Sequence, residues 1–432
     1  MNDVKRKAMI MKKISDRMLD FIDVSPTCFH VVENLKKELI KNGYEELDEK
    51  KEWKLKKGKY FVTRNDSSII SFRIPKKDFK GFYMIASHSD SPSFKIKENP
   101  EMEASGAYVK LNVEKYGGML CAPWFDRPLS VAGRVLVKDK KNGIVSKLVN
   151  VDRDLVMLPS LAIHMNREAN EGYKYNAQTD MLPLFGDETS KDKFFDMIAE
   201  NAGVKKADIL GHDLFLYNRV APTYWGANNE YLASSRLDDQ ECVYTTFEGF
   251  MNSKDSDNVP VHCVFDNEEV GSGTKQGAAS TFLKDTLTRI NEALGRTNQQ
   301  YFTAIANSFM ISADNAHAVH PNHAEKADPV NKPVMNKGIV IKYNANQRYT
   351  TDAVSAAFFK DVCNKAKVPF QTFTNRSDIP GGSTLGNIST TQVAVNTVDI
   401  GLAQLAMHSP YESAGSKDPE YLAKAAQTFY GM

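Results

Sequence analysis

The sequence predicts an α/β fold in which a central mixed β-sheet flanked by helices is interrupted by a β-rich insertion. Three observations carry that expectation. Apolar strand-like runs alternate with helical stretches through the second half of the chain, as βα units do. The first ninety residues show the same alternation, and between the two a composition change near Lys95 opens a series of short strands. At 432 residues the chain is longer than a single core usually grows, which also favours two domains or one domain carrying an insertion.

In chain order, the opening stretch MNDVKRKAMIMKKISDRMLDFI mixes charges into apolar residues at helical spacing, and a helix is expected over Asp16 to Asn42. The runs KYFVTRN and SIISFRI read as strands and lead into the strongly apolar GFYMIAS. The insertion is assigned to residues 95–211, dividing residues 1–94 and 212–432 of the α/β domain. Within it, the Lys-Asn-Gly turn at 141–143 joins two strands as a hairpin. Residues 166–205 read as polar loop, and DLFLY at 213–217 is expected to resume the earlier sheet. Beyond it VPVHCVF, FMISA and GIVIKY are strands, while Gln240 to Asn252 and Thr351 to Lys367 are helices.

The composition is 42% hydrophobic and 25% charged with a net charge of +1, leaving no large field to attract polyanions, so no nucleic-acid partner is expected. No apolar run reaches the length of a membrane span, and the N-terminus lacks the apolar core and cleavage site of a signal peptide. A cytoplasmic protein without membrane contact is the reading. Five cysteines occur without a C-x-x-C pair, so a metal here would be held by nitrogen and oxygen.

Five stretches carry candidate chemistry. In HSDSPSF, after an apolar strand, His88 and Asp90 lie two apart, so an extended backbone points both one way and Asp90 could orient the imidazole; a surface His and a turn-forming Asp explain the pattern equally well. In SSRLDDQE, Asp239 fits a helix N-cap, leaving Asp238 to face a cation. In VPVHCVFDNEEVGSGTKQG a strand runs into three acids within four residues. Adjacent Glu268 and Glu269 cannot both point inward from a regular strand, so one would bind metal while the other takes a proton from water; a solvated acidic turn is the alternative. FMISADNAHAVHPNH ends a strand on Asp314 and then repeats His at 317, 320 and 323, of which His320 and His323 read as structural. In DIGLAQLAMHSPYESAG, His408 gains weight only as the last member of the series. Zincin, serine-elbow and Walker patterns are absent, and GGSTLGN at 381–387 reads as a substrate-contacting turn.

In this order and at these strand ends, HSDSPSF, RLDD, DNEEVGS, SADNAHAVHPN and QLAMHSP closely resemble the motifs of the aspartyl aminopeptidase and vacuolar aminopeptidase I family, from His88 to His408. The resemblance implies a metal-dependent aminopeptidase with two divalent ions, zinc foremost and manganese or cobalt as alternatives. Asp238 would bridge them, with His88 and Asp314 at one position and Glu269 and His408 at the other. Glu268 would be the base and Asp90 the orienter of His88. His164 would reach a neighbouring subunit's site as a substrate contact or a further ligand, and His317 and Lys342 would contribute to the substrate site. A homododecamer built from dimers through the β-rich insertion is implied as well.

Two divalent ions against three carboxylate ligands leave one positive charge, which a bridging hydroxide would neutralise. The substrates are then peptides with a free N-terminus, whose first residue is Asp or Glu in one version and broader in another. A related two-metal deacylase or carboxypeptidase, and a noncatalytic assembly component with a structural metal, are the alternatives.

Overall fold

The computed structural model describes residues 13–432, and the first twelve residues of the stretch read as an N-terminal helix lie outside them. The chain divides into two compact units. One contains the described residues up to Asp90 together with Pro222–Met407 and Glu412–Met432; the other contains Ser91–Ala221 with His408–Tyr411.

A nine-stranded mixed sheet organises the first unit. Its strands, in spatial order, are Glu45–Leu47, Gly58–Arg64, Ser68–Ile74, Val259–Phe265, Phe82–His88, Phe309–Ala313, Asn396–Gly401, Ile339–Tyr343 and Phe370–Thr374. Successive side chains of a strand face opposite sides, and both sides here are covered. Ile85, Val264 and Ile311 accordingly join a core with Leu35, Phe250 and Phe359. Met84, Ala86, Cys263, Phe265 and Met310 join a second core with Phe282 and Leu287. That two-sided burial is why these strands read as continuous apolar runs. A five-stranded sheet of the same unit pairs Thr223–Trp225, Tyr231–Ser234, Glu412–Gly415, Ala403–Leu405 and Ala316–His317.

Three local expectations are corrected. The helix expected over Asp16 to Asn42 is two helices, Ile14–Asp23 and Cys28–Lys41, because Pro26 has no N–H to donate and disfavours helical backbone at Ser25. Within residues 166–205, the segment Phe194–Ala202 is a helix and Leu184–Asp187 a strand. The helix buries Phe194 and Ile198, an i, i+4 pair hidden among polar neighbours in the sequence. Residues 213–217 do not resume the first sheet. They belong to Ile209–Asn218, which pairs antiparallel with Leu129–Asp139 inside the six-stranded sheet of the second unit. Local apolar content was the same for either sheet; the pairing partner decided. The hairpin at Lys-Asn-Gly is present, with Asp139 opposite Gly143, whose φ of +78° suits a residue without Cβ. Among the described residues no helix is long and apolar enough to cross a membrane.

His262 occupies a position in Val259–Phe265 that alternation assigns to the core. It is fully buried against the Phe247 and Phe250 rings, with Nε2 3.1 Å from the Thr246 hydroxyl. Burial pushes its pKa down to about 3, against roughly 6.5 in an unfolded chain. Between those values the unfolded state binds more protons, so this stability is present above pH 6.5 and is lost as pH falls toward 3. His262→Gln is expected to lose less stability than the parent over that window, read as the shift in urea midpoint with chelator present. Parallel losses would refute it.

Candidate metal centre

Strand order builds the site. Phe82–His88 lies between Val259–Phe265 and Phe309–Ala313, parallel to both, with His88 opposite Phe265 and Ala86 opposite Ser312. Three neighbouring strands therefore release their next residues at the same edge, about 5 Å apart. His88, the Glu268–Glu269 pair and Asp314 emerge there, where an open α/β sheet collects ligands. The helix Leu237–Asn252 packs on the first two of these strands and brings Asp238 to the same place. One ligand atom each from His88, Asp238, Asp239 and Asp314 lies within 4.8 Å of the others, as do those of His88, Glu268 and Glu269. The Asp238 and Glu269 carboxylates meet the same limit.

His88 is 1% exposed and held at both ring nitrogens. Nδ1–H donates to the Asp90 backbone carbonyl at 3.1 Å. A carbonyl can only accept, so the neutral ring presents Nε2 as a lone pair. Nε2 lies 3.3 Å from Asp238 Oδ1 and 3.9 Å from Asp314 Oδ1. Two ligands on a tetrahedral zinc stand about 3.4 Å apart, so the spacing fits a shared cation. The Asp90 carboxylate sits 3.4 Å from the ring, but both its oxygens also accept backbone N–H groups, from Glu268 at 3.1 Å and from Glu269 at 3.2 Å. Asp90 thus supports His88 chiefly through its carbonyl and uses its side chain to shape the turn carrying the two glutamates. That turn, Glu268–Val270, follows Asn267 at φ +63°, the irregular strand end that lets adjacent glutamates share one site.

The first turn of Leu237–Asn252 is irregular, with non-helical dihedrals at Asp238 and Asp239 and a cis peptide between them. Asp239 is not the expected helix cap. It stands just before the regular helix, but its Oδ2 accepts the backbone N–H of His88 at 3.0 Å instead of a first-turn N–H. The Asp238 N–H donates to Glu412 Oε2 at 3.0 Å. On the other side, Asn315 Nδ2 is directed at the Leu237 carbonyl, Glu241 Oε2 and Gln404 Oε1, at 3.1, 3.1 and 2.9 Å. Asn315, Glu412 and Glu241 escaped the sequence reading, since none sits in a ligand-like spacing; their roles exist only through pairings across the fold.

The electrostatics are those of an anionic site. Burial, then repulsion from Asp238, holds the Glu269 carboxyl well above the ordinary range, and burial does the same for Asp239 with Asp314 and Asp238 adding to it. Glu268 is pushed up to about 8 by burial and by Asp314, Asp90 and Asp238, against the opposing pull of His88. Burial alone would lower His88, but Asp239 and the contacts to Asp238, Asp314 and Asp90 raise it well above its usual value. Buried carboxylates crowded around one imidazole match the donor set of a divalent cation, whose charge would offset that repulsion.

Lys342 is 3% exposed; its ammonium donates to the Asn315 carbonyl at 2.8 Å and lies 3.9 Å from Asp314 Oδ2. Burial would lower its pKa, but Asp314, Tyr349, Asp399 and Asp238 raise it, so it is a buried cation beneath the carboxylates. In GGSTLGN, Thr384 turns inward to donate to Asp399 Oδ1 at 2.7 Å. His317 is exposed beside the Phe373 ring, and His320 and His323 are exposed with their rings 5.0 Å apart, outside the cluster. In the second unit, His408 Nδ1 donates to the Gly118 carbonyl, while His164 is exposed in the apolar run Leu161, Ile163 and Met165.

A family profile described as aminopeptidase I zinc metalloprotease (M18) matches residues 21–430. A probable M18 family aminopeptidase 2 of Clostridium acetobutylicum is 47% identical over 428 residues, covering 97% of this chain and 99% of that protein. Among solved structures, the complex of Ape4 and Nbr1 contains a chain that superposes with a TM-score of 0.93 at 36% identity, covering 97% of this chain and 85% of that one. The mApe1 dodecamer of S. cerevisiae superposes with a TM-score of 0.85 at 28% identity, covering 97% and 96%.

Proposed function

Because the chain belongs to the M18 family of zinc metallo-aminopeptidases, we propose that it releases N-terminal residues from peptides using two divalent ions, zinc foremost, held by His88, Asp238, Glu269, Asp314 and His408. The observation that carries this reading is the convergence of three parallel strand ends on Asp238. His88 and Asp314 share one position with Asp238, and Glu269 shares the other; His408 is carried over from the motif QLAMHSP. When bound, the ions polarise the peptide carbonyl and lower the pKa of water. Glu268 takes the proton from the attacking water and returns it to the leaving amine. Its backbone, pinned by Asp90, keeps that carboxylate at the edge of the cluster.

His317 and Lys342 are the residues proposed to meet the substrate side chain. The Lys342 charge is already shared with the Asn315 carbonyl and Asp314, so its pull on an acidic side chain is reduced and neutral residues are accepted as well. The assembly proposed is a homododecamer built from dimers through the inserted unit, as its solved S. cerevisiae relative is a dodecamer. His164 would then enter a neighbour's site, and the exposed Leu161, Ile163 and Met165 are the apolar surface such a contact would cover.

Protein supplied with zinc, manganese or cobalt is expected to release the first residue of unblocked peptides and to leave N-acetylated peptides intact. Equal rates on the two would overturn the exopeptidase reading, and a preference for the blocked peptide would favour a deacylase or carboxypeptidase. A steady-state comparison of N-terminal Asp, Glu, Leu and Lys substrates is expected to show acidic residues turned over without the others being excluded.

A further inference from the structure

We infer that Asp239 is a positioning residue that clamps the end of the His88 strand to the start of the Asp238 helix, and so sets the distance between two ligands of one ion. The inference rests on the ligand assignment proposed above. Asp239 is fully buried, and its Oδ2 accepts the backbone N–H of His88, 151 residues away in sequence. It adjoins Asp238 directly, so a restraint on Asp239 reaches the Asp238 carboxylate through one peptide unit. The helix also packs on that strand through apolar side chains, but at the site itself the two segments meet through His88 Nε2 and Asp238 Oδ1, 3.3 Å apart. A contact made by the ligand atoms themselves is given up when an ion takes both of them, so it cannot set their spacing around that ion. The Asp239 bond to the His88 main chain can, because it uses neither ligand atom.

Glu412 completes the logic from the other side by accepting the Asp238 N–H at 3.0 Å. That bond fixes Asp238 to the five-stranded sheet, whereas the Asp239 bond fixes it to the nine-stranded sheet that carries His88, Glu268 and Asp314. Losing Asp239 therefore leaves Asp238 ordered but no longer registered to its partner ligand.

The test compares Asp239→Asn and Asp239→Ala in the full chain. Asparagine keeps an oxygen that accepts the His88 N–H but carries no charge; alanine keeps neither. Zinc affinity is read by competition with a chromophoric chelator, alongside kcat, KM and the thermal midpoint. For Asp239→Ala, zinc affinity is expected to fall roughly 10- to 100-fold, the range seen when a group supporting a metal ligand is removed, with kcat falling and KM moving less than about 3-fold. Asp239→Asn is expected to recover most of that loss. An Asp239→Asn protein as impaired as Asp239→Ala would overturn the clamp, since charge rather than the acceptor would then matter. Wild-type zinc affinity in Asp239→Ala would also overturn it when His88→Ala loses zinc; unchanged affinity in both variants would instead remove the ligand assignment and the clamp with it.

Discussion

Replacing Glu268 by glutamine is expected to lower turnover by roughly 100- to 10,000-fold, the contribution of a positioned general base, while metal content and assembly stay as in the parent. The side chain keeps its size, and the turn that carries it is held from below. Asp90 accepts the backbone N–H groups of both Glu268 and Glu269, so the substitution leaves those bonds intact. What changes is the ability to accept a proton. Metal analysis, size-exclusion chromatography and steady-state rates on one preparation decide the matter. A variant with unimpaired turnover would remove Glu268 from the chemistry; one that also loses metal would make it a ligand instead of a base.

Asp238→Asn is expected to have a larger effect on loading and an effect on stability whose sign depends on metal. Asp238 is the carboxylate proposed to serve both ions, so its loss should empty the site and cost turnover about 1,000-fold or more, equivalent to the several kcal/mol that a bound metal contributes at the transition state. Without metal the direction reverses. Asp238 is among the charges that raise the pKa of Glu269, Asp239 and Glu268, and Asp239, Asp314 and Asp90 remain to hold the His88 charge, so removing Asp238 relieves repulsion in a buried cluster. In chelator the variant should unfold at a higher urea concentration than the parent. With excess zinc the parent should be the more stable, since binding to the folded state alone adds stability by mass action. The same order of midpoints in both conditions would count against a metal role for Asp238.

Much of the candidate site was legible because acids and histidines placed directly after apolar strands leave a local signature. His88 after FYMIAS, Glu268 and Glu269 after VPVHCVF, and Asp314 after FMISA each sit where a strand must end. Their supports were less legible. Asp239 read as a cap because an acid before a helix usually is one, and only the position of the His88 N–H redirects it. The Asp90 carboxylate read as a partner of the imidazole, yet its oxygens also hold the N–H groups of Glu268 and Glu269, 178 and 179 residues away. Lys342 stands in an apolar strand where its side chain could as well have reached solvent; the structure buries it against Asp314 and the Asn315 carbonyl.

The sequence by itself determined the α/β class, most strand and helix positions, and the residue types available at each strand end, because alternation, helical spacing and turn residues act over a few neighbours. Only the tertiary structure decided that Val259–Phe265 and Phe309–Ala313 flank Phe82–His88, and that Ile209–Asn218 joins the sheet of the second unit instead of the first. Sheet order is a competition between strands of nearly equal apolar content far apart in the chain. It is settled by which faces can be covered together, and that same order brings His88, Glu269 and Asp314 around Asp238.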